Sequence, residues 1–199
     1  MRLQLGKERA MGASTPEQVE HLIGLGFHKA AGYSEGGFDT HAGRPESKDA
    51  ILVVSELMVP IAKQCELLGI NNKLELYQLA THRNVVPLPE KFLYWCYDID
   101  DGRRMKGFAP EEAIQKLSDG KRFPAHTSLV LAIIRLDIQI ISGNHRIDVG
   151  GSRIEKDLIP AVLLANGHPD HERPTLSSTR LSEKKGYSTY GMASYSRVK

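Results

Sequence analysis

The sequence predicts an α+β fold: a single domain in which an antiparallel or mixed β-sheet of roughly four to six strands is packed by helices, with a further helix at the N-terminus. Three observations carry this. Residues 51–55 and 92–99 are short runs of branched and aromatic side chains, the composition of buried strands. Segments led by proline and acid at 15–17 and 109–113 have the chemistry of helix starts. The 199 residues, 41% hydrophobic and 25% charged, match a folded domain able to bury roughly 70% of its unfolded surface without cross-links.

Taken in order, Ser14-Thr15-Pro16-Glu17 offers a capping hydroxyl, a proline for the first helical position and an acid for the positive helix end. Val19, Leu22 and Ile23 follow on one face, and Gly24 and Gly26 stop the helix, which is predicted over 16–25. Residues 33–48, with three glycines and little apolar periodicity, are expected to form a long surface loop. Residues 1–50 therefore read as a helix-and-flexible-loop extension, and 51–199 as the core domain.

Within that core, 51–55 is a strand. Leu57, Met58, Ile61, Cys65 and Leu68 then recur at helical spacing until Gly69 and Asn71-Asn72. A short element at 74–79 precedes the break at Pro87 and Pro89. The run 92–99 is a strand closed by the turn Asp100-Asp101-Gly102. A helix over 110–118 has Ala113, Ile114 and Leu117 inward, and another begins at His126 or Thr127 and runs through Ile140, with a branched end that could turn to strand. The segments 147–154, 159–165 and 191–198 read as three strands of one sheet, and 166–185, rich in serine, proline and charge, as an extended loop.

The formal charge of +2, from 26 basic and 24 acidic side chains, lacks the basic excess of a dedicated nucleic-acid binder. Cys65 and Cys96 lie far apart without a CxxC, so they are expected as reduced, packed thiols. No apolar run approaches a membrane span, and the chain opens without a signal-like segment, so a cytoplasmic location and no membrane partner are expected.

The central and C-terminal stretches resemble the bacterial proteins catalogued as domain of unknown function 5701. The residues concerned are Tyr97-Asp98-Ile99-Asp100-Asp101-Gly102, Ala109-Pro110-Glu111-Glu112-Ala113, Gly120-Lys121-Arg122-Phe123-Pro124, Gly151-Ser152-Arg153 with Ile159-Pro160-Ala161, and Ala193-Ser194. The resemblance covers mainly 92–199 and implies a shared fold, with no catalytic residues to carry over. The chain departs from the family pattern at Ala125-His126-Thr127-Ser128, where a Thr-x-x-Glu-Gly-like helix start is expected. It departs again at Ser194-Tyr195-Ser196-Arg197, which replaces a Ser-Cys-Gly-Gly-Arg and so lacks that cysteine.

Four constellations could carry chemistry. His168, Asp170 and His171 combine nitrogen and oxygen donors suited to a divalent metal, although a solvated polar loop has the same composition. Gly151, Ser152 and Arg153 could bind an anion through amides, a hydroxyl and a guanidinium, or form a glycine bend between strands. Asp98, Asp100, Asp101, Glu111 and Glu112 cluster without matching a calcium loop, so a turn before a helix is the expectation. Arg180, Lys184, Lys185, Arg197 and Lys199, interleaved with Tyr187, Tyr190 and Tyr195, could meet nucleic acid or belong to a strand.

No GxSxG, GxGxxG or GxxxxGK[ST] motif is present. A binding or interaction protein is the leading expectation, with an unspecified protein or small molecule, or a second copy of the chain, as partner and no predicted cofactor. The alternatives are a small metal-assisted or phosphate-handling enzyme built from the 168–171 loop and the 151–153 turn, and weak nucleic-acid binding by the basic C-terminal segment.

Overall fold

A computed structural model describes residues 14–141, 145–164, 173–184 and 186–199. In chain order the elements are α1 (Thr15–Gly24), α2 (Phe27–Ala30), α3 (Glu35–Ala42), β1 (Ile51–Val54), α4 (Ile61–Leu68), β2 (Asn71–Asn72), α5 (Leu76–Thr81), β3 (Arg83–Asn84) and β4 (Leu93–Tyr97). They continue with α6 (Pro110–Asp119), β5 (Phe123–Pro124), α7 (Thr127–Leu136), β6 (Arg146–Asp148), β7 (Ser152–Arg153), β8 (Leu158–Leu164), β9 (Pro174–Arg180), β10 (Tyr190–Met192), β11 (Ser194–Tyr195) and β12 (Arg197–Val198). Short 3-10 turns at Arg103–Met105 and Ile138–Ile140 complete an α+β fold.

The centre is α7, in which every residue from Thr127 to Ile134 is buried. A helix apolar on all sides needs cover on all sides. One side meets the three-stranded sheet β1-β4-β12 through Ile51, Val53, Tyr94 and Cys96; another meets the mixed five-stranded sheet β10-β6-β8-β9-β2 through Ile147, Val162 and Leu176. Strand alternation sends the remaining side chains outward. Leu52, Val54, Leu93, Trp95 and Tyr97 pack against Val19, Leu22, Phe27, Phe38 and Ala42 of the N-terminal helices. Ile159 and Met192 pack against Ala113 and Leu117 of α6. The described part of the first 50 residues is thus one wall of a core shared with β1 and β4.

Strand β1 is buried throughout yet has a neighbour on one side only. Its outward backbone groups must still be paired, and side chains do this. Gln18 Nε2 donates to Ala50 O (2.8 Å), Leu52 N donates to Gln18 Oε1 (2.9 Å), Arg135 donates to Leu52 O (3.0 Å), and Gln64 Nε2 donates to Val54 O (3.1 Å). These side chains stand where another strand would, which closes a sheet edge inside the core.

The helix starts behave as read: α1 has its proline start and the Ser14–Glu17 capping box, and α6 its Pro110 and acidic first turn. Three expectations are corrected. The surface loop expected at 33–48 contains α3, because the Ser34 hydroxyl caps Gly37 N at 3.1 Å and Phe38, fully buried, anchors the turn despite Gly36 and Gly37. The extended loop expected at 166–185 contains β9, a polar strand that pairs with β8 over seven residues and buries mainly its first half. The three strands expected in one sheet at 147–154, 159–165 and 191–198 are divided. β6, β8 and β10 share a sheet, whereas β7 pairs with β3, β11 with β5 and β12 with β4. Glycine contact explains part of that division. A side chain on Gly151 would collide with the Pro124 carbonyl, and Gly102, at φ +93°, leaves no room for a Cβ beside Ala193 N at 2.8 Å.

Candidate functional site

Two polar regions stand out. The first surrounds the start of α7. Ser152 Oγ on β7 accepts hydrogen bonds from Thr127 N (3.0 Å) and Thr127 Oγ1 (3.0 Å) and donates to Asn84 Oδ1 on β3 (2.8 Å). Asn84 Nδ2 donates to Glu56, whose second oxygen accepts from Ser128 Oγ at 2.9 Å. His82 Nε2 lies 2.8 Å from Thr127 Oγ1. Because the Thr127 proton goes to Ser152, the network assigns the hydrogen to His82 Nε2 as donor. Protons therefore point one way, from His82 through Thr127, Ser152 and Asn84, and the chain ends on the Glu56 carboxylate. That carboxylate also sits where the positive end of α7 favours an anion.

Electrostatics agree with a closed, neutral interior. Burial lowers the pKa of His82, with Glu56 pulling the opposite way. Burial also lowers His126 to about 3, helped by His82, so its imidazole is neutral and shares a 3.1 Å hydrogen bond with Tyr94 OH. Burial raises the Tyr94 phenol. Thr127, Ser152 and His126 are completely buried. A general base must accept the proton of its nucleophile; here His82 donates to Thr127, so the hydroxyl is held rather than activated.

The second region is an open cleft of about 410 Å³ between the end of α3, the start of β4 and the C-terminal strand. It is lined by His41, Arg44, Glu90, Lys91, Phe92 and Lys199, and is edged by Leu93, Trp95 and Tyr97, which are themselves buried against the N-terminal helices. Trp95 Nε1 donates to Ala42 O (2.8 Å) and the Tyr97 hydroxyl accepts from Glu46 N (3.2 Å). Lys199 and Arg197 both pair with Glu46, whose carboxyl they hold below its usual range, Lys199 foremost. Among the described residues Arg44 and Lys91 make no ion pair. Phe92 is 49% exposed.

The residues singled out in the sequence fall elsewhere. His168, Asp170 and His171 lie outside the described residues. At the 151–153 turn, Gly151 N donates to Ala125 O (2.9 Å), Ser152 N to Val149 O (3.2 Å), and Arg153 to the carbonyls of Gly150 and Ser152 (2.8 Å each). An anion arriving there would have to displace protein acceptors. The acidic turn is occupied by local arginines: Asp98 pairs with Arg122 (2.6 Å), Asp101 with Arg103 (3.0 Å) and Asp100 with Arg104 (3.4 Å). In the C-terminal segment Tyr195 is fully buried and Tyr97 lies beneath Arg197. Cys65 and Cys96 are buried free thiols, and burial pushes Cys65 up to about 12. Among the described residues no three His, Cys, Asp or Glu side chains converge as a metal site, and no helix is long and apolar enough to cross a membrane.

Neither polar region was visible as a motif, since each draws its members from segments tens of residues apart. The one local hint to the cleft was Trp95, the only tryptophan of the chain, within a predicted strand. Comparison with curated proteins and with solved structures finds no match. A family model does match, over residues 21–189, reaching further toward the N-terminus than the stretch that carries the sequence resemblance and ending before Ala193-Ser194, and the chain belongs to that family of unknown function, DUF5701.

Proposed function

We propose that this protein is a small-molecule binding protein whose ligand occupies the cleft formed by the end of α3, the start of β4 and Lys199. The observation that carries this reading is the composition of the cleft: a volume of about 410 Å³, the half-exposed Phe92 ring beside it, and two cationic side chains, Arg44 and Lys91, that make no ion pair among the described residues. Ligand sites combine apolar walls with a few polar groups, in volumes of about 300–1,000 Å³. The one-way hydrogen-bond chain at α7 supports binding over turnover, because the best-placed hydroxyl, on Thr127, has no base to take its proton.

The test is a small-molecule screen on the full chain that reads thermal stability and the fluorescence of Trp95 together. Compounds that stabilise the fold are expected to shift Trp95 emission, and to lose both effects in Phe92→Ala. Stabilising compounds that leave Trp95 unmoved and bind Phe92→Ala equally well would place the ligand elsewhere and end this reading.

A further inference from the structure

We infer that α6 (Pro110–Asp119) is a pH-operated flap, docked on the five-stranded sheet while Asp148 is protonated and released when that carboxyl ionises. Residues paired across neighbouring strands point to the same face of a sheet, and Asp148 pairs with Met192 on one side and Ala161 on the other. Met192 packs with Ile159 against Ala113 and Leu117 of α6, whereas Ile147, next to Asp148 in the strand, belongs to the core around α7. Asp148 therefore points to the side of the sheet that α6 covers. A side chain on Gly150, two residues further along, would meet both Met192 and Ile114 of α6, so the helix lies over this end of the strand. In that place Asp148 is 4% exposed and its Oδ1 has no partner among the described residues.

The charged groups of the surrounding elements are engaged elsewhere. Arg146, on the same strand face, donates to Tyr190 OH at 2.7 Å and lies over its ring. Arg153 donates to the carbonyls of Gly150 and Ser152. Arg103 and Arg104, in the turn before α6, pair with Asp101 and Asp100, and Lys106 acts on His145. Strand β8 has no titratable side chain, and Glu111, Glu112, Lys116 and Asp119 of α6 are all exposed. Burial is what acts on the Asp148 carboxyl, raising it from 3.8 to about 7. Little holds the helix down in return. Its cluster has four buried hydrophobic residues, Ala113, Leu117, Ile159 and Met192, and the two larger clusters include no residue of α6. The chain enters and leaves the helix through left-handed residues, Gly107 at φ +85° and Lys121 at φ +56°, the second a conformation that a long side chain disfavours. A unit with so small a contact opens before the rest of the domain.

Release returns the carboxyl to water and to 3.8. The opening equilibrium is thus flat below pH 3.8, rises about tenfold per pH unit from there to about 7, and is flat above. The experiment is amide hydrogen exchange on the full chain at about pH 4 and about pH 7, corrected for intrinsic rates, in the parent and in Asp148→Asn, which cannot ionise. Between the two conditions α6 of the parent is expected to lose protection roughly a hundredfold or more, while α6 of the variant keeps it and α7 stays at least about tenfold better protected than α6. Equal protection of α6 and α7 in the parent at the higher pH would mean that ionisation opens the whole domain, and a loss that persists in the variant would belong to other groups; either result overturns the flap. The unmodified chain gives a second reading that needs no variant. A released helix of ten residues is marginal in water, so tryptic cleavage after Lys116, scaled to that of an unstructured peptide at the same pH, should rise over the same window. Cleavage that does not rise would overturn the flap as well.

Discussion

The start of α7 and the cleft beside β4 are both rich in polar side chains, yet they differ in how those side chains are satisfied. At α7 almost every donor has a protein acceptor, each link is 2.8–3.0 Å long where Thr127, Ser152, His82 and Asn84 meet, and the centre is sealed from water. At the cleft the interior groups are paired, but among the described residues the rim cations Arg44 and Lys91 make no ion pair, and the Phe92 ring is half exposed. The first pattern holds a structure together, because a buried polar group left without a partner costs about 1–3 kcal/mol. The second leaves interaction capacity available to something from outside. A histidine beside a hydroxyl is therefore weaker evidence of a ligand here than two cations that make no ion pair among the described residues beside the half-exposed Phe92 ring.

The comparison can be tested from its strong side first. Gly151→Ala would force a methyl against the Pro124 carbonyl and separate β7 from the start of α7. Chemical denaturation should show a loss of about 3 kcal/mol or more, since backbone has little freedom to yield. A variant as stable as the parent would mean that β7 is not held where described.

Asp148 probes the same rule from the other direction, because it is buried like the network but its Oδ1 has no partner among the described residues. Its cross-strand neighbours are Ala161 and Met192, and burial pushes its carboxyl from 3.8 up to about 7. The folded state thus holds the proton more tightly than the unfolded chain does. The resulting stability is complete below pH 3.8 and is lost as pH rises through about 7. Unfolding measured across that window should show a downward slope of a few kcal/mol in total, and Asp148→Asn should remove it. A slope unchanged in that variant would assign it to other groups.

Ser152→Ala should cost about 2 kcal/mol, because Thr127 N and Thr127 Oγ1 lose their acceptor in a fully buried place and the half-buried Asn84 Oδ1 loses a donor. Ligand binding in the cleft should be untouched, which separates the two regions; a parallel loss of affinity would join them. The smallest effect is expected at the rim. Arg44→Gln and Lys91→Gln should change stability by no more than about 0.5 kcal/mol, as exposed residues that make no ion pair among the described residues do, while weakening ligand binding in the cleft. A large loss of stability from either would reveal a structural role for that side chain.

Much of the fold was legible along the chain. The Ser14–Glu17 and Pro110–Glu112 starts, the strand around Trp95 and the apolar run of α7 are local signals, set within a turn or two by caps, proline geometry and side-chain periodicity. α3 and β9 were not legible. Helix α3 carries two glycines and is held by one buried phenylalanine, and β9 is polar along much of its length and is held by its seven-residue ladder to β8. In both, long-range contact overrides weak local preference.

What the sequence by itself determined is the class of fold, the places where α1, α6 and α7 begin, the burial of both cysteines and the family resemblance that the family match bears out. Only the tertiary structure decided which polar groups became scaffold and which remained available. Thr127, Ser152, Asn84 and Glu56 are ordinary residues until four segments bring them into one hydrogen-bonded chain, and Arg44 and Lys91 are ordinary surface cations until α3 and β4 place them across one cleft. Pairing depends on distances across the fold, and no local pattern in a chain encodes them.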